Sequence, residues 1–168
     1  MTITGLRRVL LSISTLLSFS HAQLAFNTSN FVGAFAAGSG VLESLRPALA
    51  PDFDFSPSDV FDQRNGPGQY HTGDLTFRYR TSSNGTWSEG NTAALRMNVS
   101  SSQTSGLLDT QLNAALPGLP SGLSIERRWF EVDGDLALEF VFNNTGSSQL
   151  ELGSVGMAIE FNLSLIHI

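Results

Sequence analysis

The sequence contains no cysteine and no lysine, and only 14% of its residues carry a formal charge. Without cysteine there can be no disulfide, no thiolate nucleophile and no cysteine-ligated zinc, so stability must come from packing and hydrogen bonds. Arginine supplies all nine basic residues against fifteen acidic ones, a formal net charge of −6. An acidic chain repels the phosphates of nucleic acids and the headgroups of anionic lipids. We therefore expect no nucleic-acid partner.

The first 22 residues have the pattern of a secretory signal peptide. Arg7 and Arg8 precede an apolar stretch over 9–19, and Ser20 and Ala22 place small side chains where signal peptidase reads. The stretch is too short for a membrane span, which needs about 20 apolar residues. We predict that 1–22 is a cleaved leader, that the protein is secreted, and that the mature chain contacts no membrane.

Residues 23–168 have the length of one folded domain, and the 41% hydrophobic content of the whole sequence fits a folded chain. Apolar and polar residues alternate with period two, and no segment after the leader keeps the spacing of an amphipathic helix. Asp133-Gly134 is typical of a tight hairpin turn, and Gly38-Ser39-Gly40 indicates a second hairpin. These patterns predict an all-β fold, an antiparallel β-sandwich. The strands are expected near 31–37, 41–45, 75–80, 95–100, 125–132, 136–143, 150–152 and 155–161.

The connections are predicted from breakers and short periodic segments. Residues 47–73 are rich in proline, aspartate and glycine, which predicts a long ordered loop. Residues 107–116 fit one or two helical turns, and 144–148 fit the next link of a meander. The sequence stops on an apolar strand with no turn or polar tail, so we expect a truncated C-terminus with residues 164–168 out of frame.

The long loop carries the densest group of polar and aromatic residues, and two interpretations of it are open. In the first interpretation, its aspartates and His71 form an acid/base or sugar-hydroxyl site with Tyr70 as a stacking ring. In the second, these residues stabilise the conformation of the loop. In the second, favoured interpretation, Phe53, Phe55 and Phe61 enter the core. Asp52, Asp54 and Asp59 then accept turn hydrogen bonds, and Arg64 pairs with one of them.

Two aromatic residues and two acidic pairs complete the list of candidates. Trp87 follows a turn and is able to stack on a sugar, whereas Trp129 alternates within a strand and is expected in the core. Asp52/Asp54 and Asp133/Asp135 have a spacing found in calcium sites but lack the other ligands. We therefore predict no metal and no cofactor.

Glycosylation acceptors of the form Asn-x-Ser/Thr occur at Asn27, Asn84, Asn98 and Asn143, and a further one at Asn162 lies in the doubtful last residues. Asn84 is expected in a turn. Asn98 and Asn143 fall on the polar phase of predicted strands, so we expect all three to face solvent.

Several segments have a recognisable combination of motifs: Tyr-His-Thr-Gly-Asp at 70–74 is the most specific, and the others are at 53–59, 64–66, 75–80, 116–129 and 150–157. Together they resemble the amino-terminal part of a family of large secreted fungal and bacterial glycosidase-like proteins without a settled activity. The resemblance implies a β-supersandwich that precedes a helical (α/α) barrel, and carbohydrate processing by the complete protein.

On this basis the chain is predicted to be the non-catalytic amino-terminal β-sandwich of a secreted glycoside hydrolase-like protein. The alternative is a stand-alone extracellular carbohydrate-binding or cell-wall module. The expected partners are carbohydrate and the missing C-terminal domain of the same chain. The candidate contact residues are Arg64, Tyr70, His71, Asp74 and Arg78.

Cleavage after Ala22 should leave Gln23 as the first residue of the secreted protein, because Ser20 and Ala22 are the small residues of the cleavage motif. Amino-terminal sequencing and intact mass of secreted material test this. Secreted protein that retains Arg7 and Arg8 would contradict it.

Overall fold

The computed structural model describes residues 23–56, 70–95, 99–103 and 106–159. These residues form ten strands and a single 3-10 turn. The strands are β1 Gln23–Asn27, β2 Phe31–Ala36, β3 Leu42–Pro47, β4 Leu75–Arg80, β5 Ser88–Asn91, β6 Ser100–Ser102, β7 Leu108–Gln111, β8 Leu123–Val132, β9 Asp135–Asn144 and β10 Glu151–Met157, with the 3-10 turn at Asn113–Ala115. The prediction of an all-β fold is confirmed.

The strands form three sheets in which every described pair is antiparallel. Sheet A has the order β1-β2-β3, sheet B the order β10-β4-β5, and sheet C the order β6-β7-β8-β9. Because antiparallel sheets need only short connections, this topology is the one that period-two patterning and glycine-rich turns favour.

Sheets B and C pack face to face, as expected for a sandwich. Leu75, Phe77 and Tyr79 of β4 share a buried cluster with Ile125 of β8. Phe77 also meets Phe142 of β9 edge to face, with ring centroids 5.3 Å apart. Alternate apolar side chains on β4 and β8 thus bury one face of each strand.

Sheet A packs against the other end of sheet C through a second buried cluster. Phe26, Phe35 and Leu42 of sheet A lie against Leu108 and Trp129 of sheet C. The rings of Phe35 and Trp129 are 5.2 Å apart between centroids. Sheet C therefore carries both halves of the core, and the expectation that Trp129 is a core residue is confirmed.

The predicted hairpin at Asp133-Gly134 is present. Val132 pairs with Asp135 across a two-residue turn in which Asp133 has φ 51° and Gly134 has φ 91°. A type I′ turn requires positive φ at both positions, and its twist matches that of the flanking strands. The second predicted hairpin joins β2 and β3, with Gly40 at φ 67°.

Three segments differ from the sequence-based prediction. β10 does not continue the meander but pairs with β4 of the other sheet. Residues 108–111 form a strand, with only one 3-10 turn after it. Alternation shows which face a strand buries but not which neighbour it pairs with, and short segments fit either a helical turn or a strand. In the predicted strand over 95–100, Leu95 and Val99 lie outside any strand, and residues 96–98 are outside the described residues.

The leader, residues 57–69 of the long loop, and the last residues at 160–168 also lie outside the described residues. Among the described residues, no helix is long and apolar enough to cross a membrane.

Replacing Ile125 with alanine should lower the free energy of unfolding by about 2–5 kcal/mol, because its fully buried side chain would leave a cavity between sheets B and C. Glu139→Ala on the neighbouring strand should stay within about 0.5 kcal/mol, since Glu139 is exposed. Denaturant titrations measure both values, and equal shifts of the two midpoints would contradict this placement of the core.

Candidate functional site

The Tyr-His-Thr-Gly-Asp segment forms a tight turn that leads into β4. The Asp74 N–H donates to the His71 carbonyl at 2.9 Å, and the His71 N–H donates to Asp74 Oδ2, also at 2.9 Å. Asp74 Oδ1 accepts the Thr92 hydroxyl at 2.9 Å. His71 and Asp74 are only 4% and 2% exposed. The Asp74 carboxylate is thus an internal brace that ties the turn to the residue after β5.

The side chain of Arg127, on β8, also holds this turn in place. Its side chain is 1% exposed, and its Nη1 donates to the Gly73 carbonyl at 2.8 Å. Its Nη2 donates to the Ser39 carbonyl in the β2–β3 turn. One guanidinium therefore connects a turn of sheet A to the turn that precedes sheet B, and the fork of N–H donors on arginine suits this bridging role.

Backbone hydrogen bonds fasten the same turn on two more sides. The Leu42 N–H donates to the Thr72 carbonyl at 3.0 Å. The Gly73 N–H donates to the Ala158 carbonyl at 3.1 Å, and the Ala158 N–H donates to the Asp74 carbonyl at 2.9 Å. The turn therefore lies where all three sheets meet.

Glycine at position 73 is required by both conformation and space. Gly73 has φ 98°, and a Cβ there would lie 2.7 Å from Cζ2 of Trp129. The Trp129 indole is held in place because its Nε1–H donates to the Gly40 carbonyl at 2.9 Å. A side chain at position 73 would displace the ring from the core.

Next to the turn, a cluster of polar side chains lies on the solvent-exposed side of sheet B. Tyr70 is 44% exposed, and its hydroxyl accepts the Asn91 amide Nδ2 at 2.8 Å. One step along the sheet, Arg78 Nε lies 3.2 Å from Glu89 Oε1, with side chains 53% and 71% exposed. The register pairs Arg78 with Glu89 and Thr76 with Asn91, so these side chains share one face. We call Tyr70, Arg78, Glu89 and Asn91 the outer face.

Trp87 lies farther along this side of sheet B and is largely occupied by protein contacts. The Arg80 guanidinium carbon lies 4.6 Å from the ring centroid, a cation–π distance. Arg80 Nε in turn donates to Glu151 Oε2 at 2.7 Å. A Cβ on Gly153 would lie 2.9 Å from the ring. Trp87 packs against the bulge of β10, and its predicted stacking on a sugar stays a prediction.

Asp54 in the long loop is used by the backbone, as the structural interpretation expected. Its Oδ1 accepts the Leu45 N–H at 3.0 Å and the Ser56 N–H at 3.0 Å, and its Oδ2 accepts Arg46 Nε at 2.9 Å. Burial alone would raise the pKa of this carboxyl, but the hydrogen bonds from Leu45, Arg46 and Ser56 outweigh it, so the pKa lies below its ordinary value. Its arginine partner is Arg46, while Arg64, Asp59 and Phe61 lie outside the described residues. The expectation that Phe53 enters the core is wrong, because its ring lies at the loop surface, 38% exposed, with an edge-to-face contact to Phe55.

The predicted contact residues fall into three groups. Tyr70 and Arg78 lie together on the outer face, whereas His71 and Asp74 are in the interior beneath it. Arg64 lies outside the described residues. Their roles toward carbohydrate or another domain stay predictions.

Three of the four predicted glycosylation sites are exposed: Asn27 at the end of β1, Asn84 in the β4–β5 turn and Asn143 near the end of β9. Asn98 is outside the described residues.

Sequence reasoning missed Arg127, Asn91 and Glu89. A signal for Arg127 existed, because it occupies the apolar phase of its strand between Ile125 and Trp129, where a charged residue needs internal partners. Nothing in the local sequence distinguishes Asn91 or Glu89. Within the described ranges, no group of three or more histidine and acidic residues converges as a metal site would need.

Comparison with known proteins adds one finding. The model of a family of unknown function, DUF5695, matches residues 34–167. The chain belongs to the DUF5695 family. The matched part of this DUF5695 chain runs from within β2 through β10 and includes the turn and the outer face. Neither the curated proteins nor the solved structures contain a match.

Asp54→Asn should destabilise the domain at neutral pH and much less in acid. The unfolded chain takes up the proton at the ordinary pKa of 3.8, above the pKa of the folded state, so the contribution of Asp54 is present above that value. It is lost as the pH falls through the lowered pKa. Unfolding free energies of the two proteins, measured across this range, should converge with falling pH.

Asp52→Asn serves as the control, because Asp52 is an exposed aspartate of the same loop. It should leave stability nearly unchanged at every pH. A constant difference between wild type and Asp54→Asn down to the most acidic point would contradict the assignment.

Proposed function

We propose that this chain is the non-catalytic β-sandwich domain of a secreted, glycoside hydrolase-like protein that acts on carbohydrate, and that its outer face contacts the sugar. The observation that carries the proposal is the cluster itself: an exposed tyrosine ring and the half-buried Asn91 amide beside exposed guanidinium and carboxylate groups on one face of sheet B. The resemblance of the 70–74 segment to secreted glycosidase-like proteins supports the same assignment.

The chemistry of the outer face suits a sugar. A pyranose offers a C–H face that stacks on an aromatic ring and hydroxyls that both donate and accept hydrogen bonds, and Tyr70 presents such a ring to solvent. Asn91 and Arg78 supply donors, and Glu89 supplies acceptors. The Asn91–Tyr70 hydrogen bond restrains the ring, which lowers the ordering cost of binding.

The use of the acidic side chains favours a non-catalytic role. Glycoside hydrolysis generally uses two carboxyl groups that flank the sugar, one as acid and one as base or nucleophile. Here five of the acidic groups in the described residues accept hydrogen bonds that hold the fold: Asp54 from Leu45, Arg46 and Ser56, Asp74 from His71 and Thr92, Glu126 from Arg128, Glu131 from Ser29, and Glu151 from Arg80. Catalysis is therefore assigned to another domain of the complete protein.

The proposal of secretion rests on the leader pattern and on the acceptor sites. Asn27, Asn84 and Asn143 are exposed, so a glycan at each would extend into solvent without displacing the core. A stand-alone binding module would use the same outer face, and an open reading frame that continues into several hundred residues of helical pattern would distinguish the two.

Tyr70→Ala should weaken binding of the mature chain to its best-bound polysaccharide at least tenfold, about 1.4 kcal/mol, because the stacking ring is lost. Phe53→Ala is the matched control, since Phe53 is a similarly exposed ring (38%) away from the outer face. Affinity electrophoresis against a panel of polysaccharides, followed by calorimetry, measures both. Equal affinities of the two variants, or no binding by the wild type, would contradict the proposal.

The same mature chain should release no product from aryl glycosides or polysaccharides, since the carboxylates of Asp54 and Asp74 are used by the fold and are not paired across a sugar site. Turnover that disappears in Asp74→Asn would move the catalytic site into the sandwich.

A further inference from the structure

Within the described part of the chain, no element covers the interior of the sandwich along β10. Four apolar side chains there are 40–55% exposed: Leu152, Val155, Met157 and Ile159. Three of them have register partners on β4 that are at most 7% exposed: Tyr79, Phe77 and Leu75. Because cross-strand partners share a face, the exposed side chains of β10 point toward the sandwich interior and not toward the outer face.

β9, in sheet C, also carries inward-facing apolar side chains that are incompletely covered. Its inward-facing side chains, Leu136, Leu138, Phe140 and Phe142, are only partly buried, although two of their partners on β8, Trp129 and Ile125, are at most 3% exposed. β9 and β10 are the last strands of sheets C and B among the described residues. Between them lies a strip of eight apolar side chains, the four just named together with three of β10 and Ile159 just after it, which we call the β9/β10 cleft.

One end of the cleft deepens into a groove of about 450 Å³. Leu136, Leu138, Met157 and Ile159 line it together with Trp129. The groove is large enough to admit several apolar side chains, and it is continuous with the cluster that joins sheets A and C.

The free edge of β9 offers backbone groups beside this strip. In a two-residue hairpin, the two residues that flank the turn, here Val132 and Asp135, are hydrogen-bonded to each other through both backbone groups. Farther along the two strands, hydrogen-bonded pairs alternate with pairs whose backbone groups point away from each other. The N–H and C=O groups of Leu136, Leu138 and Phe140 therefore point away from β8. The apolar side chains and the outward backbone groups belong to the same residues, as a strand-accepting edge requires.

This edge lacks the usual protection against pairing. Soluble proteins guard exposed edges with lysine, proline, bulges or inward-pointing charges. β9 contains neither lysine nor proline, and its two charged residues, Asp135 and Glu139, are on the outward phase. An edge of ten residues without such protection is normally paired.

We propose that the β9/β10 cleft is closed by a β-strand from the remainder of the same polypeptide, apolar at alternate positions, which pairs with the free edge of β9 and buries its apolar side chains in the cleft. This inference rests on the proposed function, in which the chain is one domain of a longer protein. Apart from the bulge between Leu152 and Val155, the uncovered strip alternates with period two, so a strand is the element whose side chains match it.

Two observations favour the same polypeptide over a second copy of this chain. The cleft continues the intramolecular core of sheets B and C, where Phe77 already contacts Phe142. After loss of Arg7 and Arg8 with the leader, seven arginines face fifteen acidic residues, and two copies with a charge of −8 each would repel one another.

Single cysteines test the proposal cleanly, because the chain has none of its own. Val155→Cys places a thiol in the cleft, and Glu139→Cys places a matched thiol on the outward phase of β9. In the mature chain 23–168 both should react rapidly with a soluble maleimide. In the complete protein, Val155→Cys should react at least tenfold more slowly while Glu139→Cys keeps its rate, as resolved by peptide mass spectrometry.

Equal reaction rates of Val155→Cys in the short and complete proteins would overturn the proposal. Protection already present in the short chain, with the mass of a dimer in solution, would overturn it in favour of a second copy. Hydrogen exchange of the Leu138 and Phe140 amides in both wild-type proteins gives the same answer if a variant fails to fold. A complete protein that protects the cleft but binds no polysaccharide would contradict only the proposed function.

Discussion

The buried guanidinium of Arg127 donates to the carbonyls of Ser39 and Gly73, and these contacts join elements that no strand pairing connects. Burying a cationic group is costly unless its donors are satisfied, so the arrangement requires both turns to present a carbonyl at the right place. Gly40 and Gly73, both with positive φ, allow the turns to do so. Together with Trp129, the two core clusters and the backbone hydrogen bonds of the turn, this side chain fixes the mutual position of the three sheets.

The same junction explains why the segment 70–74 contains an exposed residue directly next to buried ones. His71 and Asp74 face inward and close the turn through reciprocal hydrogen bonds, while Tyr70, immediately before them, emerges onto the outer face. A residue held by a braced turn is more precisely placed than one on an unsupported loop. By bracing the turn, the buried carboxylate of Asp74 therefore helps to position Tyr70 on the outer face.

The two exposed surfaces of the domain have opposite chemistry. The outer face is polar with one aromatic ring, which suits a hydrated ligand rich in hydroxyls. The β9/β10 cleft is apolar with unprotected backbone edges, which suits another strand. Since they lie on opposite sides of sheet B, a domain that is covered at the cleft keeps its outer face accessible.

Alternation and turn chemistry by themselves determined the all-β class, the hairpin at Asp133-Gly134 and the buried phase of β4 and β8, because each depends on neighbours within a few residues. The tertiary structure alone decided that β10 joins β4, that Arg127 links three sheets, and that Asn91 and Glu89 stand beside Tyr70 and Arg78. These contacts join residues from 11 positions apart (Arg78 and Glu89) to 88 positions apart (Ser39 and Arg127) along the chain. Such distances lie beyond the reach of local periodicity, and only the packing of whole sheets brings the groups together.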